Sequence, residues 1–66
     1  MDEWIVADPG VLGGKPCVKG TRLSVEHLLE LLASGGSPEE LLRAYPQLSP
    51  DGLAAAFRYA AGSLKR

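Results

Sequence analysis

Gly13, Gly14 and Lys15 precede a leucine-rich stretch, and they invite a chemical reading. A glycine-rich loop with a lysine before a helix is how a phosphate cradle is built. Backbone N–H groups point at the phosphate oxygens and the ammonium neutralises them. The spacing rejects that chemistry here. Such a loop needs a glycine five residues before Gly14 and a hydroxyl directly after the lysine. Those positions hold Pro9 and Pro16, and the next helix start signal comes only at Ser24. Metal chemistry fares no better. Cys17 and His27 are the only Cys and His in the chain, and they make no closed site without well-spaced carboxylates. His27 sits among glutamates on a helix, with no nucleophile–base–orienter set around it. The chain therefore reads as non-enzymatic, with no cofactor, metal or small-molecule substrate.

The cations suggest a second chemistry. Arg58, Lys65 and Arg66 make the C-terminal end basic, and Lys15, Lys19 and Arg22 follow one another with no acid between them. Arg58, Lys65 and Arg66, with Lys15 and Lys19, are candidate phosphate contacts on DNA. The alternative for the C-terminal three is a last helical turn whose cations complement the helix dipole. Ala54, Ala55 and Ala56 precede Arg58. Base edges are read by Arg, Lys, Asn or Gln, so sequence-specific reading by this helix is poorly supported. Small residues there suit close packing against another helix, in this chain or a second subunit. A formal net charge of −1 and a pI near 5.7 do not describe a chain held on nucleic acid by charge alone.

The elements that must position these residues fall into two parts. Residues 1–23 form a β-leaning arm and turn scaffold, with short strands expected in Trp4–Ala7 and Pro16–Lys19. Val18–Thr21 reads as a tight turn, with Gly20 where a positive φ is required. Gly14 and Pro16 shape the approach, and Thr21 can bond a nearby backbone group. Arg22 can satisfy carbonyls or pair with an acid such as Glu26. Gly20-Thr21-Arg22 is thus favoured as a structural motif over a ligand contact. Residues 24–66 read as three helices. Ser24 caps the first, Gly35-Gly36 ends it, and Val25, Leu28, Leu29 and Leu32 form its apolar face. Ser37, Pro38 and Glu40 open the second with a capping box, and Pro46 closes it. Ser49-Pro50-Asp51 opens the third, with Leu53, Phe57, Ala60, Ala61 and Leu64 as its stripe.

Sixty-six residues make one domain, which buries only about 60% of its unfolded surface. With one cysteine and no metal set, the remaining supports are good helix packing and self-association. A homodimer is expected, with Trp4, Ile5, Val6 and Tyr59 as candidate contacts. Trp4 and Tyr59 serve the core equally well. No long apolar run or secretory segment is visible, and a lone thiol fits a reducing compartment, so a cytoplasmic protein without membrane association is expected.

The fold class read from these elements is mainly α: a three-helix bundle of helix-turn-helix type, homeodomain-like or winged-helix-like, with a short N-terminal β-arm. The four-residue joint Pro46–Ser49 supplies the helix-turn-helix connection. The sequence from Gly13 to Ala60 resembles the prokaryotic family called Domain of Unknown Function 433. Its pattern is carried by Gly14, Lys15, Pro16, Gly20, Thr21, Arg22 and Val25. It continues in Leu32, Gly35, Ser37, Glu39, Tyr45, Pro46, Leu48, Ala56, Tyr59 and Ala60. The resemblance implies the homeodomain-like or winged-helix-like fold. It also implies a candidate antitoxin of a toxin–antitoxin pair, VapB-like, beside a PIN-like nuclease toxin. A protein-interaction module with no nucleic acid is the alternative.

Overall fold

The computed structural model describes residues 3–64 of the chain. Its elements in order are β1 (Ile5–Val6), a 3₁₀ turn (Leu12–Gly14), β2 (Cys17–Val18), α1 (Val25–Ala33), α2 (Pro38–Ala44) and α3 (Pro50–Leu64). The architecture is mainly helical, with a small antiparallel hairpin at its N-terminal side. No helix among the described residues is long and apolar enough to cross a membrane.

Each helix start follows from a side chain able to accept a backbone N–H. Ser24 Oγ accepts from His27 N at 3.0 Å, and Ser49 Oγ accepts from Gly52 N at 3.0 Å. Ser37 and Glu40 form the reciprocal box: Ser37 Oγ accepts from Glu40 N, and Glu40 Oε1 accepts from Ser37 N. Helix α1 ends in a Schellman motif. Gly36 N bonds Leu31 O and Gly35 N bonds Leu32 O, with Gly35 at φ 103°.

The strands find their partners within the chain. Ile5 stands opposite Val18, and Val6 opposite Cys17. Past the turn the backbone folds back along the other edge of β2. There Val18 N bonds Leu23 O, Val25 N bonds Pro16 O, and Cys17 bridges Ser24. The turn itself is closed by Thr21 N to Val18 O at 3.0 Å, with Gly20 at φ 81°. That is the conformation in which a side chain would be strained. Thr21 Oγ1 donates to Val18 O and accepts from Leu23 N. Two-residue strands are not stable alone; these are held by a central β2 and by helix α3 beneath them.

Helix α3 is the hub, contacted by α1, β1 and β2. Its buried residues are Gly52, Leu53, Ala55 and Ala56, with Tyr59 and Ala60 packed at the edge. Gly52 is required by close approach: a Cβ there would lie 2.8 Å from Val18 Cγ1. The expected stripe is therefore rotated. Leu53 and Ala60 remain on the core side, while Phe57, Ala61 and Leu64 are exposed. The small residues of the alanine run, Ala55 and Ala56, are spent on packing within this chain. The physical reason is the hairpin: a second layer lies against α3, so its buried arc is wider and turned toward the small residues. The core cluster draws Ile5, Val18 and Leu23 from the N-terminal part. The helices and their joints supply Val25, Leu28, Leu41, Leu48, Leu53, Ala55 and Ala56.

Candidate functional site

Helices α2 and α3 and the turn between them set the first surface. Tyr45 N bonds Leu41 O and Leu48 N bonds Tyr45 O, so the turn is hydrogen-bonded at both ends. Leu48 anchors it in the core. Gln47 is left exposed at its crest. Beside Gln47 lies an open hollow lined by Asp8, Thr21 and Arg22 with Val6, Val11 and Cys17. Arg22 is exposed, and its side chain makes no ion pair or hydrogen bond among the described residues. Gly20 and Thr21 of the motif thus have structural work and Arg22 does not. The expected pairing of Arg22 with Glu26 is replaced by another. Lys15 Nζ lies 3.0 Å from Glu26 Oε1, with both side chains exposed. The hydrogen bond that Lys15 donates to the Glu26 carboxylate, then that carboxylate's charge, holds the Lys15 ammonium above the 10.5 of a free lysine side chain.

Of the remaining sequence-predicted cations, those among the described residues lie on separate parts of the surface. Lys15 stands beside α1, and Lys19 shares a shallow hollow with Glu3 and Trp4. Arg58 is exposed on α3 and has an interaction of its own. Lys65 and Arg66 lie outside the described residues. Of the candidate contact residues, Ile5 is 2% exposed and belongs to the core. Trp4 and Tyr59 are half-buried against that core, and Val6 is exposed. Gly14 has φ 90° in the 3₁₀ turn, and Pro16 is half-buried with its carbonyl on Val25 N.

A second surface had no counterpart in the sequence reading. Val25, Leu29 and Ala33 of α1 face Tyr59, Ala60 and Leu64 of α3 across an apolar groove of about 500 Å³. Glu26 and Glu30 stand along its α1 side. Leu29 is 38% exposed and Leu64 83% exposed. The signal was present in α1, whose leucines at 28, 29, 31 and 32 cover a wider arc than one neighbouring helix can bury. Among the described residues no group of three or more His, Cys, Asp or Glu side chains is placed to hold a metal ion.

Residues 5–60 match the family described as "Protein of unknown function (DUF433)". The chain belongs to this family. It is 34% identical to a DUF433 member from Anabaena variabilis whose crystal structure is known. The TM-score is 0.86, over 92% of this chain and 60% of that one. It is also 38% identical, over 58 residues, to the uncharacterized protein y4eO of Sinorhizobium fredii. That match takes in 88% of this chain and 26% of the relative. This DUF433 chain thus spans about a quarter of that relative's length.

Proposed function

We propose that this DUF433 chain is a small non-enzymatic regulator, the antitoxin and DNA-binding partner of a toxin–antitoxin pair in the cytoplasm. The observation that carries the reading is Arg22, exposed and unpaired among the described residues, lining one hollow with Gln47 of the α2–α3 turn. A guanidinium and a carboxamide beside that turn suit phosphate contacts, which position a helix-turn-helix on the duplex. Arg58 adds a further exposed cation on α3. The antitoxin part rests on the sequence resemblance, and a PIN-like nuclease is the partner it implies.

The second reading is an interaction module without nucleic acid. The apolar α1/α3 groove and the short side chains on the exposed face of α3, Ala54 and Ala61, favour it. One titration separates the two. Labelled duplex from upstream of the protein's own gene is compared with a scrambled duplex at low and moderate salt. The DNA reading expects preference for the upstream duplex and roughly a tenfold or greater loss of affinity across that salt range. Arg22→Ala, and separately Arg58→Ala with Lys65→Ala, should weaken binding and flatten the salt slope. Unchanged binding in both variants removes the assigned contacts. No binding to either duplex leaves the interaction module.

A further inference from the structure

Arg22 stands between two hollows. It shares one with Asp8 and Gln47. It shares the other with Lys15, Glu26, His27 and Glu30. Acids therefore lie on both sides of an exposed guanidinium that makes no ion pair or hydrogen bond among the described residues. A guanidinium matches a carboxylate better than an ammonium does, because its planar fork donates to both oxygens. What two of those acids already hold explains why Arg22 is left over. Asp8 Oδ1 accepts from Gly10 N at 2.9 Å, within its own loop. Glu26 Oε1 accepts from Lys15 Nζ at 3.0 Å.

Lys15 reaches Glu26 because its backbone is fixed beside α1. Lys15 N donates to Leu12 O at 3.3 Å, and Cys17 Sγ donates to Lys15 O at 3.1 Å. The next carbonyl, that of Pro16, accepts from Val25 N at 2.9 Å, one residue before Glu26. Both ends of the ion pair thus stand on backbone that is already tied together, so only side-chain freedom is lost in forming it.

We propose that Lys15 is a positioning residue for Arg22. By occupying Glu26 it leaves the guanidinium to the hollow shared with Gln47. Without the Lys15 ammonium, Glu26 accepts from Arg22 and draws it toward α1, and Glu30, one turn further along that helix, supports the capture. Lys15 therefore acts on DNA through Arg22 and not through a phosphate of its own. That consequence rests on the DNA reading of Arg22; the exchange of partners does not.

Two measurements test it. The first needs no DNA: exchange of the Arg22 Nε–H with water, followed by NMR at low salt and fixed pH. Lys15→Gln should slow it about threefold, the scale of an exposed ion pair. Lys15→Arg should leave it unchanged, and so should Lys15→Gln combined with Glu26→Gln and Glu30→Gln. An Arg22 exchange rate indifferent to Lys15→Gln overturns the proposal. The second is affinity for the upstream duplex at low salt. Lys15→Gln should weaken binding about threefold in the chain that carries Arg22, and far less in Arg22→Ala. Equal losses in the two backgrounds make Lys15 a phosphate contact in its own right and overturn the positioning role. No binding by the unmodified protein sinks the DNA reading instead, and the exchange measurement then decides the coupling of Lys15 to Arg22 by itself.

Discussion

The N-terminal 23 residues and the helices after them are stabilised by different means. The helices carry their own punctuation: Ser24, Ser37 and Ser49 each accept a backbone N–H, and paired glycines close α1. The N-terminal part has two strands of two residues each, held by a turn at Gly20 and by side-chain bonds from Thr21. Yet it supplies Ile5, Val18 and Leu23 to the same core. The difference teaches that a short segment can have weak local structure and still be integral to the core. Its conformation is set where it meets α3, at the seam between Val18, Trp4 and Gly52.

That comparison breaks if the two regions unfold separately. Trp4 is the only tryptophan and reports on the N-terminal part, while far-ultraviolet circular dichroism reports on the helices. Leu28→Ala should have the largest effect. Leu28 is fully buried in α1, and truncation of such a leucine costs about 2–5 kcal/mol. Both signals should move together in urea; a Trp4 transition that shifts apart from the helical one would show two cores.

Gly52→Ala sharpens the seam. Alanine is favoured in a helix by about 1 kcal/mol, but overpacking costs roughly 1–3 kcal/mol. A net loss is expected, because the new methyl meets Val18 at 2.8 Å and Ser49 Oγ at 3.2 Å. Val18→Ala in the same chain should recover part of it, and strictly additive losses would remove the claimed contact. Gly20→Ala isolates the turn. Nothing lies within 4 Å of the added methyl, so the cost is the left-handed backbone alone, about 1 kcal/mol. An unchanged urea midpoint would refute it.

The smallest effect belongs to the surface. Glu26→Gln removes the carboxylate that raises the Lys15 pKa, and no change in the neutral-pH urea midpoint is expected from so exposed a pair. The Lys15 titration, followed by NMR, should move down toward 10.5. The sign follows from the raised value. Any stability from this ion pair is complete below the unfolded lysine pKa and is lost as pH rises through the folded one. A Lys15 titration that does not move would discard the ion pair.

Much of the helical part was legible because its signals are local. A capping serine, a proline at the first helical position and a glycine pair act within four residues, so their spacing is visible in the chain. The turn at Gly20 was legible for the same reason, since only glycine takes that φ without strain. The rotation of α3 was not. The stripe at Leu53, Phe57, Ala60, Ala61 and Leu64 follows from size and period, but the hairpin decides which arc is covered. The expected role of Arg22 failed similarly: Lys15, eleven residues from Glu26, reaches that carboxylate first.

The sequence by itself therefore determined the helices, their ends, the tight turn and the family, because each rests on interactions between near neighbours or on motif spacing. Only the tertiary structure decided that Gly52 must lack a side chain, that Ala55 and Ala56 are core, that Arg22 lines a hollow with Gln47 and makes no ion pair among the described residues, and that Leu29 and Leu64 share an open groove. Those outcomes depend on which distant segment lies against α3, and burial at a contact between segments far apart in sequence has no periodicity to announce it.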